Sequence, residues 1–185
     1  LREDPDGNWV YSPASLWFAM GMAAIGANGR TLDEMMAVMA LDDIAPLIEA
    51  RSAIGGASSL RMGNMLLCHD TYHLRPEFVE ACESKMGAVA WMRNFRDPGT
   101  IDEVNSWISE MTAGKISQLL GGLPKLVRVV LINAIYFKAA WMDPFEDAVQ
   151  KEFKHPNGPS QCWMMKREKD EINYAEAANF KAVKL

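Results

Sequence analysis

Lys125-Leu-Val-Arg-Val-Val-Leu-Ile-Asn-Ala-Ile-Tyr-Phe-Lys138 contains no Gly or Pro and is rich in β-branched and aromatic residues, which favours a strand over a short buried helix. In alternation, Val127, Val129, Leu131, Ile135 and Phe137 share one face, and Val130, Ile132, Ala134 and Tyr136 share the other. Both faces are apolar and both need cover, so the pattern predicts a long central strand; an edge strand would alternate apolar with polar. Asn133 is the exception. A buried amide without partners costs about 1–3 kcal/mol, so Asn133 is expected to hydrogen-bond to other buried polar groups.

Composition narrows what surrounds this strand. The chain has 185 residues, 49% of them hydrophobic, enough for a real core and for one domain or a large part of one. A net charge of −5 with no basic block argues against a nucleic-acid partner; the densest basic stretch, Lys166-Arg167-Glu168-Lys169, is short and broken by an acid. Cys68, Cys82 and Cys162 are odd in number, widely spaced and never in a Cys-x-x-Cys arrangement, which supports neither a disulfide framework nor a zinc site. They read as half-buried thiols. No initiator Met or signal pattern opens the chain, and Val183-Lys184-Leu185 ends it inside a strand-like run, so it reads as incomplete at both ends.

Taken in order, Trp9-Val10-Tyr11 reads as a short strand, and Ser12-Pro13 opens a helix with Ser12 as N-cap and Pro13 at the first helical position. From Ala14 to Ala27 there is no charge, but the apolar part is only about 14 residues long, which predicts a buried helix and no membrane insertion. Its small residues, Ala19, Gly21, Ala23, Ala24 and Gly26, are expected to let a sheet backbone approach. Thr31-Leu-Asp-Glu34 and Thr100-Ile-Asp-Glu103 read as capping boxes that start two further helices, the second reaching Ala113 with Gly114 as its stop. A weaker helical pattern runs from Ile44 to Ile54. Ser58–Cys68 and Ala88–Met92 read as strands, and Pro76–Met86 as a helix stopped by Gly87. Short strand-like runs follow at Glu152–His155, Gln161–Lys166, Ile172–Ala175 and Ala182–Leu185. The chain is thus helix-rich over 1–114 and strand-rich over 115–185. It is expected to form one partial α+β domain, with helices packed on mixed and antiparallel sheets.

The residues that carry chemistry are sparse. There is no Gly-x-Ser-x-Gly elbow, no Gly-x-Gly-x-x-Gly or Walker pattern, and His69 and His73 lack a third ligand. No enzyme, cofactor or metal is expected from these residues.

Two segments carry a resemblance. Val104-Asn105-Ser-Trp107-Ile-Ser-Glu-Met-Thr112-Ala-Gly114-Lys115-Ile116, followed by Leu131-Ile-Asn133-Ala-Ile-Tyr136-Phe137-Lys138-Ala-Ala-Trp141-Met-Asp-Pro144-Phe145, closely resembles the serpin family. Tyr11-Ser12-Pro13-Ala-Ser15, Gly26-Ala-Asn-Gly29, Asn64, Asn94-Phe95 and Met164-Met165 match in the same order. Ala139 and Trp163 depart from it, where Gly and Pro are usual. The resemblance covers roughly the N-terminal half of a serpin domain. It implies an inhibitor of serine proteases, less often cysteine proteases, whose reactive loop lies beyond Leu185 and inserts into the main sheet after cleavage. The alternative is a non-inhibitory carrier, chaperone or storage protein. By the same resemblance, Ser12, Ser15 and Asn133 belong to the polar shutter beneath the sheet, and Trp141 to the breach where insertion begins. Asn105, Trp107, Thr112 and Gly114 belong to the helix that crosses the sheet. An extracellular location is expected, with the cytoplasm as the alternative, since no Asn-x-Ser/Thr acceptor is present.

Overall fold

The computed structural model describes residues 11–55, 59–141, 143–155, 158–168, 173–178 and 180–183. Of the expected strand at Trp9-Val10-Tyr11, only Tyr11 lies among them. Contacts divide the chain into two compact units, 1–138 and 139–185. The compositional change at 115 therefore does not coincide with the boundary between units, because the strand quoted above belongs to the first.

In the first unit, helix α1 (Pro13–Ile25) opens as its sequence predicts, with the Ser12 hydroxyl accepting from the Ser15 amide at 3.1 Å. Helix α2 (Gly29–Met39) starts earlier than the Thr31 capping box suggests. Asn28 is its N-cap, with the side-chain carbonyl accepting from Gly29 N at 2.7 Å. Helix α3 (Ala45–Gly55) leads to strand β1 (Leu60–His69), helix α4 (Pro76–Met86), strand β2 (Ala88–Arg93), helix α5 (Pro98–Met111) and strand β3 (Val129–Phe137). The second capping box is also displaced. Asp97 caps α5 by accepting from Gly99 N at 2.9 Å, whereas the Thr100 hydroxyl is buried and donates to the Asn94 carbonyl at 2.9 Å. In both helices an Asn or Asp three residues upstream takes the cap, which these side chains do as well as Thr or better.

The three strands form one mixed sheet in the order β2-β1-β3, with β1 parallel to β2 and antiparallel to β3. The central strand is thus β1, and β3 lies at an edge among the described residues. Apolar character on both faces reports cover above and below a strand, not pairing along its two edges, and β3 has the first without the second. Met62 and Leu66 of β1, with Val129, Leu131 and Ile135 of β3, pack into a core with Phe18 and Met22 of α1, Leu47 of α3 and Met86 of α4. On the opposite face, Met65 and Leu67 pack with Ile132, Val104 and Ile108 into a second core beneath α5. Each β1 residue from Asn64 to Cys68 is nearly or fully removed from water. As its small residues predict, α1 lies close against β3, and its two glycines also admit side chains from neighbouring helices. A Cβ on Gly21 would come within 2.7 Å of Leu47 Cδ1 and 3.2 Å of Met86 Cε, and one on Gly26 within 2.9 Å of the Phe78 ring.

The second unit contains two hairpins. Strands β4 (Val149–His155) and β5 (Gly158–Met164) pair antiparallel, as do β6 (Tyr174–Ala177) and β7 (Phe180–Val183). Pro156, Asn157, residues 169–172, Lys184 and Leu185 lie outside the described residues, and with them the ends of the runs expected at Ile172–Ala175 and Ala182–Leu185.

All three thiols are free; Cys68 and Cys82 are fully buried instead of half-buried, and only Cys162 is intermediate. Cys82 Sγ lies 3.9 Å from the Met22 carbonyl as a weak donor. Burial, with a smaller contribution from the Glu83 charge, pushes its thiol from 9.0 up to about 11. A raised thiol favours the neutral form in the folded state, so its contribution to stability is complete below pH 9 and disappears as pH climbs towards about 11. Urea midpoints measured across that window should fall more steeply for the parent protein than for Cys82→Ala; parallel curves would show that Cys82 does not carry the slope.

Candidate functional site

The polar residues of the first unit gather at two places on the sheet. The first lies on the face that packs against α1. Asn133 of β3 stands directly opposite Asn64 of β1 in the antiparallel register. Asn133 Nδ2 donates to Asn64 Oδ1 at 2.7 Å, and Asn64 Nδ2 donates in turn to the Met86 carbonyl at the end of α4, also at 2.7 Å. The two amides therefore form a relay from β3 through β1 to α4. Asn64 is only 2% exposed, and Asn133 Oδ1 is buried with no partner among the described residues. Met86 is the last residue of α4, where carbonyls have left the helical ladder and need an outside donor.

Asn133 thus has the buried amide partner its sequence position requires, but that partner is Asn64. Among the described residues no hydrogen bond joins Asn133 to Ser12 or Ser15. Ser12 is exposed and spends its hydroxyl on the α1 cap, and Ser15 contributes its backbone amide to the same bond.

The second place is the opposite face, where α5 crosses the sheet. The Trp107 ring sits over Gly63 of β1, such that a Cβ there would meet Trp107 Cη2 at 2.8 Å and Met111 Cγ at 3.0 Å. The glycine is the close-approach point between helix and strand. Asn105 ties α5 to the segment that follows it. Its Oδ1 accepts from Leu119 N and Leu120 N, each at 2.9 Å, and its Nδ2 donates to Leu120 O at 2.8 Å. Thr112 is 1% exposed; its hydroxyl donates to Ile108 O at 2.8 Å and accepts from Ile116 N at 3.1 Å. Ala113 at φ 49° and Gly114 at φ 76° then reverse the chain, and Gly114 N donates to Ser109 O at 2.7 Å. Asn105, Thr112 and Gly114 are therefore joined in function: they fold the chain leaving α5 back against the helix. Trp107 does something different, setting how closely α5 lies on the sheet.

Trp141 belongs to the second unit. It is 53% exposed and meets Phe145 edge-on, with ring centroids 5.3 Å apart. No partner beyond that ring contact is recorded for it among the described residues.

The residues themselves pointed to Asn133, and the resemblance to the α5 residues and, without a role, to Asn64. Gly63 was passed over, although its signal was present: a small and a polar residue inside an apolar strand mark a close approach and a buried polar contact. Neutral amides and a hydroxyl committed to backbone carbonyls hold elements together. Among the described residues no three His, Cys, Asp or Glu side chains gather as metal ligands, and no helix is long and apolar enough to cross a membrane.

Comparison with known proteins gives this arrangement a context. A family profile described as "Serpin (serine protease inhibitor)" matches residues 1–185. An uncharacterised serpin-like protein of Thermococcus kodakarensis is 33% identical, covering 97% of this chain and 45% of that protein. The leukocyte elastase inhibitor of Sus scrofa is 32% identical, covering 82% of this chain and 43% of that protein. Among solved structures, a cleaved serpin superposes with a TM-score of 0.83 at 26% identity, over 95% of this chain and half of the other. The chain spans about half the length of the proteins it matches. With a family profile matching its whole length and a fold that superposes on solved serpins, the chain belongs to the serpin family.

Proposed function

We propose that this chain is the N-terminal part of a protease inhibitor that traps a serine protease by inserting its own cleaved loop into the sheet beside β3. The observation that carries this reading is that, among the described residues, no strand pairs with the outer edge of β3, while side chains on both of its faces pack into cores. Such an edge offers a row of backbone donors and acceptors, and a further strand pairing with it completes hydrogen bonds without burying new charge. The name of the porcine relative, an elastase inhibitor, supports a serine protease as target.

In this reading, Asn133 and its relay, with Ser12 and Ser15 at the start of α1, form the polar cluster beneath the opening. Trp141 marks the point of entry, and α5 moves aside on its Trp107–Gly63 contact while Asn105, Thr112 and Gly114 keep its trailing segment attached. Units 1–138 and 139–185 are parts of a single domain, secreted to the extracellular space. The protein itself performs no catalysis: the bond broken is in its own loop, and the protease supplies the nucleophile.

The test is to incubate the complete protein with an elastase-like serine protease. The expected result is stoichiometric loss of protease activity, together with a denaturant-stable covalent complex whose mass is close to the sum of the partners. Cleavage of the loop with full recovery of active protease and no such complex would overturn inhibition and assign the fold to a carrier or storage role.

A further inference from the structure

A groove of about 530 Å³ lies in the first unit, where the end of α1, the start of α2 and the turn between β1 and α4 meet. Neither the relay nor the α5 contacts use it. Its walls are Ala23 and Ala27 beside α1, Met35 of α2, Phe78 of α4 and Val129 at the start of β3. Phe78 is held in place by its contact with Gly26, where a side chain would collide with the ring at 2.9 Å. The exposed residues that line it are of opposite character: Thr31, Tyr72, His73 and Arg75. No carboxylate lines the groove among the described residues. Arg75 is loosely engaged, since its guanidinium stands 3.7 Å from Glu77 with both side chains largely exposed, a pairing of little energetic weight. Tyr72 is 48% exposed, with its hydroxyl available to a ligand.

An apolar trough of this size, edged by an exposed cation and hydroxyl groups, matches the usual form of a small-ligand site: apolar walls that supply affinity and a few polar groups that orient. We infer that the groove binds a monomeric medium-chain fatty acid, its tail along Ala27, Met35, Phe78 and Val129 and its carboxylate paired with Arg75. The sign of the rim selects an anion over a cation, and the absence of acids inside the walls removes any competing attraction.

Calorimetric titration of the complete protein with laurate, held below its micellar concentration, tests this. Saturable one-to-one binding is expected. Decanoate, two methylenes shorter, should bind roughly fifteenfold more weakly, at about fourfold per methylene. Dodecyltrimethylammonium, with the same tail and the opposite charge, should bind at least about tenfold more weakly than laurate. Arg75→Glu should weaken laurate by about tenfold or more with unchanged thermal unfolding, because the residue is exposed, and Ala27→Leu should block the trough from its wall. Absence of saturable laurate binding would overturn the proposal, including the case in which other parts of the complete protein fill the groove. So would equal affinity for the cationic amphiphile, or binding insensitive to both substitutions.

Discussion

Replacing Asn64 by Asp is expected to lower the stability of the complete protein at pH 7 by more than about 3 kcal/mol, and by more than Asn64→Ala does. Asn64 sits at the centre of the relay, accepting from Asn133 and donating to the Met86 carbonyl. Alanine leaves Asn133 Nδ2 and the Met86 carbonyl without partners in a buried place, which costs about 1–3 kcal/mol for each group. Aspartate is close in size but substitutes a second acceptor for the donor that faces Met86, and it buries a charge with no cation beside it. An uncompensated buried charge costs about 3–5 kcal/mol.

The pH dependence separates these causes. The new carboxyl has a folded pKa raised above its ordinary value of about 3.9, because burial disfavours the charged form. By linkage its penalty is small near and below that value and grows as pH rises. The gap between Asn64→Asp and the parent in urea midpoint should therefore narrow as pH falls towards about 4, whereas the gap for Asn64→Ala stays constant. A pH-independent deficit in Asn64→Asp would mean that the carboxylate finds a partner or water, and that the site is not the sealed relay described above.

The second large effect is expected at Gly63. In most strands Gly→Val is favourable, since valine fits the pleat and reduces backbone freedom. Here the added side chain drives into Trp107 and Met111, with Trp107 Cη2 already 2.8 Å from the first added carbon. Overpacking of this kind costs about 1–3 kcal/mol, and α5 must lift from the sheet to relieve it. Trp107→Ala, for its part, leaves a void over the glycine and is expected to cost about 3 kcal/mol. Because the two changes compensate in volume, the double variant Gly63→Val/Trp107→Ala should be more stable than the sum of the single losses by at least about 1 kcal/mol. Strict additivity in urea denaturation would remove the Trp107–Gly63 contact from its proposed place in controlling α5.

Much of the local architecture follows from short-range pattern. Ser12 and Pro13 start α1 and Pro76 and Gly87 bound α4 as expected, and the Lys125–Lys138 run forms a strand that starts four residues late, at Val129, and ends at Phe137. These features depend on backbone hydrogen bonds and side-chain periodicity acting over a single turn or pleat. Even at this range neighbouring caps competed: Asn28 and Asp97, three residues upstream, displaced Thr31 and Thr100, since Asn and Asp cap as well as Thr or better.

What the tertiary structure alone decided is long-range. The alternation of residues in β3 required cover on both faces, and α1 and α5 provide it, but alternation carries no information about edge pairing. That choice placed β1 at the centre of the sheet. Asn133 required a partner by its chemistry, yet the partner stands 69 residues away and is itself satisfied by a carbonyl a further 22 residues along the chain. Gly63 was legible as an anomaly in a strand, and only the arrival of α5 made it the point where Trp107 rests. Sequence by itself determined the elements, the need of a buried amide for company and the family to which the chain belongs. The fold decided which strand lies at the centre and which groups meet, because register and close packing are settled by contacts between segments far apart in the chain.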